Sequence, residues 1–213
     1  MGYSLNNLDE KMLKYINFNN GFFIEAGAND GRAQSNTLLF EERLGWTGLL
    51  VEPSVIKYQE CKNNRPNCIV ENYALVSDIF SKETIKGDFG YSDQNGSLCG
   101  QVTEILDYFD NDLKSSLENK NTHHRIVDVP VITMNRLLEQ HHITHIDYFS
   151  LDVEGYEIEV LNGMDLNKYR PTYFLIETSG IKERYNKIHE YMKNKNYEFI
   201  DAITDNDSLF KVI

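Results

Sequence analysis

The chain has 213 residues, 41% hydrophobic and 25% charged, a composition that allows one sizeable core and excludes wholesale disorder. Its formal net charge of -12 excludes an unaided grip on a nucleic-acid backbone, because phosphate binding needs a basic surface and no Lys/Arg cluster supplies one. No apolar run approaches the roughly 20 residues that span a bilayer. The opening Met1-Gly2-Tyr3-Ser4-Leu5-Asn6 has neither a basic nor an apolar leader region, so a cytoplasmic protein is expected. Cys61, Cys68 and Cys99 are odd in number and form no C-x-x-C, which points to reduced thiols rather than a disulfide framework or zinc site.

Residues 3–18 space Leu5, Leu8, Met12, Leu13 and Ile16 at mostly three- and four-residue intervals, which predicts an amphipathic helix covering one edge of a sheet. Gly21-Phe22-Phe23-Ile24-Glu25-Ala26-Gly27-Ala28-Asn29-Asp30-Gly31 reads as a strand buried on both faces running into a glycine turn with two carboxylates. Ser35 or Asn36 is placed to cap a following helix over 35–43, which Gly45 ends. A strand, a glycine turn and a helix start form a ligand cradle at the carboxyl end of an α/β sheet. A second strand, 47–52, ends on Glu52, where an acid can hold two ribose hydroxyls, and Pro53 is placed to open a helix over 55–63. A third strand is expected over 68–76, carrying Asn72 and Ala74 near its end.

From residue 80 to 128 the regularity fades, and this stretch is expected to be an insertion or substrate lid. Phe89 and Tyr91 there either pack on a ligand or, as surface aromatics, on their own loop, and His123 and His124 are either solvated or placed to act as a base. Further on, 127–132 reads as a strand, with Thr133 capping a short helix, and 145–152 reads as another strand that ends on Asp152. A helix bearing Ile158, Val160, Leu161 and Met164 follows, then a strand over 173–177, a lysine-rich helix over 181–195 and a terminal hairpin over 197–201 and 209–213.

The opening turn spaces its glycines G-x-x-x-G and has Asn29 where a dinucleotide site needs a glycine for the pyrophosphate, which disfavours a nicotinamide-dependent oxidoreductase. Glu25-x-Gly27-x-x-x-Gly31, Val51-Glu52-Pro53 and Leu151-Asp152-Val153-Glu154-Gly155-Tyr156-Glu157 together resemble the FkbM family of S-adenosylmethionine-dependent methyltransferases. The run Ser35-Asn36-Thr37 to Trp46-Thr47-Gly48-Leu49-Leu50-Val51-Glu52-Pro53 fits the same pattern. The resemblance covers about residues 20–178, the insertion excepted. It implies an α/β, single-domain, Rossmann-like class I methyltransferase fold spanning 1–213, with a mostly parallel seven-stranded sheet, a C-terminal antiparallel hairpin and helices on both faces.

Carried over by residue, the resemblance implies that Glu25, Gly27 and Gly31 border the methionine part of S-adenosyl-L-methionine, with Ala28, Asn29, Asp30 and Asn36 also in the cofactor site. The residues alone leave open that Glu25 and Asp30 satisfy helix-start amides and that Glu52 is a plain strand-end acid. Glu52, with Pro53 behind it, takes the ribose hydroxyls, and Asn72 to Ala74 lie beside adenine. Carboxylates at Glu25, Asp30 and Asp152 around one cleft suit a sulfonium cation far better than a diphosphate. Asp152 and Glu177 end two strands that, if adjacent and parallel, lie about 4.8 Å apart. Two roles are open to them: Asp152 as general base, or Asp152 and Glu177 as oxygen ligands of Mg²⁺ or Mn²⁺. Glu154 is expected to face substrate, while Glu157 either joins the catalytic acids or caps the helix after Gly155. The function expected is O-methyl transfer to the hydroxyl of a small molecule or glycan, a sugar or other glycoconjugate. The alternative from another class is a non-catalytic binding module that keeps the cradle. Nucleic-acid methylation is disfavoured by charge and by the absence of an Asn/Asp-Pro-Pro-Tyr run, and homo-oligomerisation is left open.

Overall fold

In the computed structural model, residues 2–88, 101–102, 126–178 and 182–213 are described. The expectations for Phe89, Tyr91, Cys99, His123 and His124 lie outside them.

The strand β1 (Phe22–Ala26) pairs in parallel with β2 (Thr47–Val51), which pairs in parallel with β3 (Ile69–Glu71). Two further short strands, β4 (Ala74–Leu75) and β5 (Thr84–Asp88), belong with β6 (Gln101–Val102) and β7 (Ile126–Ile132) to a second, four-stranded sheet. The main sheet continues through β8 (Tyr148–Leu151), β9 (Tyr173–Glu177), β10 (Tyr197–Ala202) and β11 (Asp207–Val212), giving the seven-stranded order β10-β11-β9-β8-β1-β2-β3. Only β11 runs against its neighbours, pairing antiparallel with both β9 and β10.

Alternation along the strands sends side chains to two opposite cores. Phe23, Leu50, Tyr148 and Leu175 face one side, where Leu8 and Met12 of α1 (Leu8–Met12), Phe40 of α2 (Leu38–Leu44) and Cys61 of α3 (Val55–Asn64) cover them. Ile24, Leu49, Phe149 and Phe174 face the other, covered from α4 (Met134–Gln140), α5 (Glu157–Asn162) and α6 (Lys182–Asn194) by Leu137, Leu161 and Met192. Every β8 residue is buried, as a central strand covered on both faces requires.

Five expectations need correction. Neither Ser35 nor Asn36 is the N-cap of α2, which starts at Leu38 after Thr37. The N-terminal segment is not one helix over 3–18 at a sheet edge but a 3₁₀ turn, Leu5–Asn7, followed by the five-residue α1, packed on a sheet face. Asn6 and Asn7 have φ of 54° and 55°, a left-handed conformation that breaks a continuous helix. The third strand divides: β3 stops at Glu71, and the chain changes sheets before β4, because the Asn72 side chain turns back to donate to the carbonyls of Glu52 (2.8 Å) and Pro53 (2.9 Å). Pro53 does not open α3; Ser54 is its N-cap and accepts from the Lys57 amide at 3.4 Å. Within the expected insertion, β5 pairs antiparallel with β7 over Thr84–Asp88, so this part is sheet rather than irregular loop. Gly45, at φ 67°, closes α2 as expected, and the Thr133 hydroxyl accepts from Arg136 N at the start of α4.

Candidate active site

The glycine turn meets the end of β8 by direct backbone contact. Gly27 has φ +82°, and a Cβ there would lie 1.9 Å from the Asp152 carbonyl oxygen. Only glycine lets the two strand ends close to this distance, and the contact brings the turn and Asp152 into one site. Gly31, at φ +74°, serves packing instead: a Cβ would lie 2.7 Å from Cys61 Sγ and 2.8 Å from Arg65 Cγ, both supplied by the α3 side.

Glu25 is buried and heavily engaged. Its carboxylate accepts from Asn36 N (2.6 Å), Thr37 Oγ1 (2.6 Å) and Ser35 Oγ (2.9 Å), and Arg65 Nη1 lies 3.6 Å away. Burial pushes its carboxyl above the ordinary range, while Arg65 and these hydrogen bonds pull it back. Arg65 itself is fully buried and donates to Glu41 (2.5 Å), the Gly31 carbonyl (3.0 Å), Ser35 Oγ (3.2 Å) and Thr37 Oγ1 (3.1 Å). Its guanidinium therefore holds the turn, the 35–37 loop and α2 together, a role that sequence reading missed.

Glu52 binds the same turn from β2. Its oxygens accept from Asn29 N and Ser54 N, each at 2.8 Å. Burial raises its pKa to about 7, against the lowering effect of those two bonds. Asp30 closes a local turn through Arg32 N (2.8 Å) and Ala33 N (2.7 Å). Ala74 packs with Ile85 and Val129 in the small cluster of the second sheet.

A cavity of about 150 Å³ opens where the turn, β8, β9 and β11 converge. Of the residues singled out from sequence, Glu25, Gly27, Ala28, Asn29, Asn36, Asp152, Glu154 and Glu177 line it; Asp30, Gly31, Glu52, Pro53, Asn72 and Ala74 do not. Leu5, Asn6 and Leu8, read from sequence as scaffold, also line it, as do Asn206 and Asp207 of the terminal hairpin. No local pattern marks these residues, since the sheet order alone brings them to the site.

Asp152 Oδ1 and Glu177 Oε2 are buried without a hydrogen-bond partner. Leu151 and Ile176 are register partners, so the two carboxylates follow from neighbouring positions. Burial, then the charge of Glu177, holds the Asp152 carboxyl well above the usual carboxylate range, with smaller contributions from Glu154, Glu157 and Asp207. Glu154 is exposed at φ +53°, next to Gly155 at φ +106°. This conformation is uncommon for glutamate and fits a turn held at a functional site.

Glu157, the first residue of α5, does not cap that helix with its side chain; Tyr156 is the N-cap, and the Glu157 carboxylate braces the turn before it. Glu157 is 1% exposed, accepts from Val153 N (3.2 Å) and Gly155 N (3.0 Å), and pairs with Arg184 Nη2 at 2.9 Å. Burial nevertheless raises it to about 7. A metal fits less well: among the described residues, no group of three or more His, Cys, Asp or Glu side chains is placed to hold one, and hard cations require about six oxygen ligands. Among the described residues no helix is long and apolar enough to cross a membrane.

Among curated proteins, none matches the chain in sequence. Solved structures similar to it include an RNA methyltransferase from Salinibacter ruber in complex with S-adenosyl-L-homocysteine, at 9% identity over 98% of this chain and 91% of that one, TM-score 0.47. A TehB-like SAM-dependent methyltransferase from Corynebacterium glutamicum aligns at 9% identity over 98% and 89%, TM-score 0.49. A precorrin-6y C5,15-methyltransferase from Geobacter metallireducens aligns at 9% over 97% and 90%, TM-score 0.47. The family described as "Methyltransferase FkbM domain" matches residues 25–199. That match runs from within β1 into β10 and takes in the glycine turn, Glu52, Asp152 and Glu177, so the chain belongs to the FkbM methyltransferase family.

Proposed function

We propose that the protein is an S-adenosylmethionine-dependent O-methyltransferase whose acceptor is a hydroxyl of a sugar or other glycoconjugate. The observation that carries this reading is the pair of buried, partnerless carboxylate oxygens, Asp152 Oδ1 and Glu177 Oε2, beside the glycine turn. A buried acceptor without a donor is costly, by about 1–3 kcal/mol, and a ligand hydroxyl or ammonium removes that cost. The cofactor, when bound, supplies a methyl group on a cationic sulfonium. The turn at Gly27 to Asn29 and the acidic lining suit such a cation. Glu52 anchors the turn through Asn29 N, and each of its oxygens keeps a second lone pair for a ribose hydroxyl.

A sugar hydroxyl attacks poorly while it keeps its proton. Asp152 is the base in this reading: burial and the Glu177 charge raise its pKa, which makes its ionised form a stronger proton acceptor. It would take the hydroxyl proton as the methyl carbon passes from sulfur, left as a neutral thioether, to the oxygen. Glu177 orients the hydroxyl, and Glu154 faces the rest of the acceptor.

Calorimetric titration with S-adenosylhomocysteine tests the cofactor, and absence of binding removes the reading. Asp152→Asn should lower turnover by about 10²–10⁴-fold with S-adenosylhomocysteine affinity nearly unchanged; undiminished turnover excludes Asp152 as base. A metal-assisted version, with Asp152 and Glu177 binding Mg²⁺ or Mn²⁺, requires turnover to fall in EDTA and return with Mn²⁺.

A further inference from the structure

Two walls of the cavity lie outside the segment matched to the family. Leu5, Asn6 and Leu8 precede residue 25, and Asn206 and Asp207 follow residue 199. These walls are fastened to each other: Lys11 Nζ donates to the Ile203 carbonyl (3.1 Å), and the Tyr15 hydroxyl donates to Asp201 (2.5 Å). The N-terminal wall is also held from within by Asp9, fully buried, which accepts from Tyr3 N (2.6 Å), Ser4 Oγ (2.7 Å) and Glu10 N (2.8 Å). Clamped this way, it presents an apolar side chain, Leu5, 54% exposed, and a side-chain amide, Asn6, to the cavity mouth.

Polarity of the lining is one-sided. Glu25, Asp152, Glu154, Glu177 and Asp207 all line the cavity, and among the described residues no Lys, Arg or His does. Independently of the acids, Asn36 lines the same cavity at 8% exposure, with its Nδ2 on Ser150 Oγ (3.0 Å) and its Oδ1 without a partner. The site thus asks its ligand for hydrogen-bond donors, and every charged side chain that an anion meets there, among the described residues, carries like charge.

Resting on the methyltransferase reading above, we propose that the two walls form the acceptor subsite and that it takes a neutral or cationic polyol, apolar face on Leu5 and Leu8 and hydroxyls toward the carboxylates, while rejecting anionic acceptors. Acceptor choice would then reside in residues outside the family-matched segment, and methyl-donor binding within it.

The test uses the full chain saturated with S-adenosylhomocysteine and three probes of one size, glucosamine, glucose and glucuronate, titrated at pH 7 by saturation-transfer NMR. Glucosamine and glucose should bind, with glucuronate at least about tenfold weaker than glucosamine. Asn6→Gly deletes the amide but keeps the left-handed backbone, and Leu5→Ser removes the apolar contact at an exposed position. Each should weaken glucosamine by about threefold or more and leave S-adenosylhomocysteine affinity within about twofold. Glucuronate binding as tightly as glucosamine overturns the proposal, as does binding by none of the three. Unchanged sugar affinity in both variants also overturns it, and so does an equal loss for sugar and cofactor product. Failure of the protein to saturate with S-adenosylhomocysteine is a separate result, which removes the methyltransferase reading and this inference with it.

Discussion

At the scale of single residues, the site rests on Arg65 as much as on any acid. Its guanidinium touches Glu25, Glu41, the Gly31 carbonyl and two hydroxyls of the 35–37 loop with no exposure to solvent. Removing one partner of a buried ion pair strands the others, at a cost of about 3–5 kcal/mol. Arg65→Met should therefore lower the unfolding free energy in urea by that amount, and a loss under about 1 kcal/mol would mean that solvent or relaxation replaces the network. In sequence, Arg65-Pro66-Asn67 reads as a turn, and nothing local separates this arginine from a solvated one. Its partners lie 24 to 34 positions away in its hydrogen bonds, beyond the reach of any periodicity. Glycines and strand-end acids stand out in the sequence by residue type and position after a strand, which brings Gly27, Asp152 and Glu177 to the cavity but leaves Gly31 and Glu52 outside its lining. That Glu25 answers amides near the helix start is one of the readings its position allows; which donors it meets, Asn36 N and the Thr37 hydroxyl, is set only once the loop has folded back.

At the scale of elements, the strands were the most legible part. The reading over 173–177 coincides with β9, and the hairpin and α6 fall within a few residues of expectation. Apolar runs bounded by glycine or proline specify a buried strand without help from elsewhere. The N-terminal segment was misread because its spacing does follow a helical face, yet left-handed Asn6 and Asn7 and the Asp9 clamp impose a different path. Asp9→Ala removes the acceptor for Tyr3 N and Ser4 Oγ and leaves their region without its internal tie. Stability should fall by about 1–3 kcal/mol, and amide exchange over residues 3–10 should quicken while β1 and β8 keep their protection. Equal quickening in the central strands would show that the clamp supports the whole fold and not this segment alone. The division between β3 and β4 was beyond sequence reading for a related reason: the signal is the Asn72 amide, whose partners are carbonyls at the end of another strand.

At the scale of the whole molecule, seven strands with a core on either face arise from a simple two-residue alternation, Phe23 against Ile24, Leu50 against Leu49, Tyr148 against Phe149. The charge balance has a global consequence too. Glu52 and Glu157 are each raised to about 7 from an ordinary 4.5, mainly by burial. A carboxyl raised by folding binds more protons in the native state than in the unfolded chain between those two pH values. Its contribution is thus complete below about pH 4.5 and is lost as pH rises toward 7, on the order of 3 kcal/mol for each group. Urea midpoints should fall between pH 5 and pH 7.5, and Glu52→Gln should flatten the slope; a midpoint that climbs over this range would contradict the assignment.

The position of β11 has a consequence for how the molecule is made. It lies between β9 and β10, although both precede it in the chain. During synthesis from the N-terminus, β9 with its apolar Phe174, Leu175 and Ile176 emerges long before the strand that pairs its free edge. Until then, that edge is a template for other chains. The same late strand delivers Asp207 to the cavity. A nascent chain therefore carries the glycine turn and Asp152 before it has a complete pocket, so one strand both covers the apolar β9 edge, leaving β10 outermost, and brings Asp207 to the cavity.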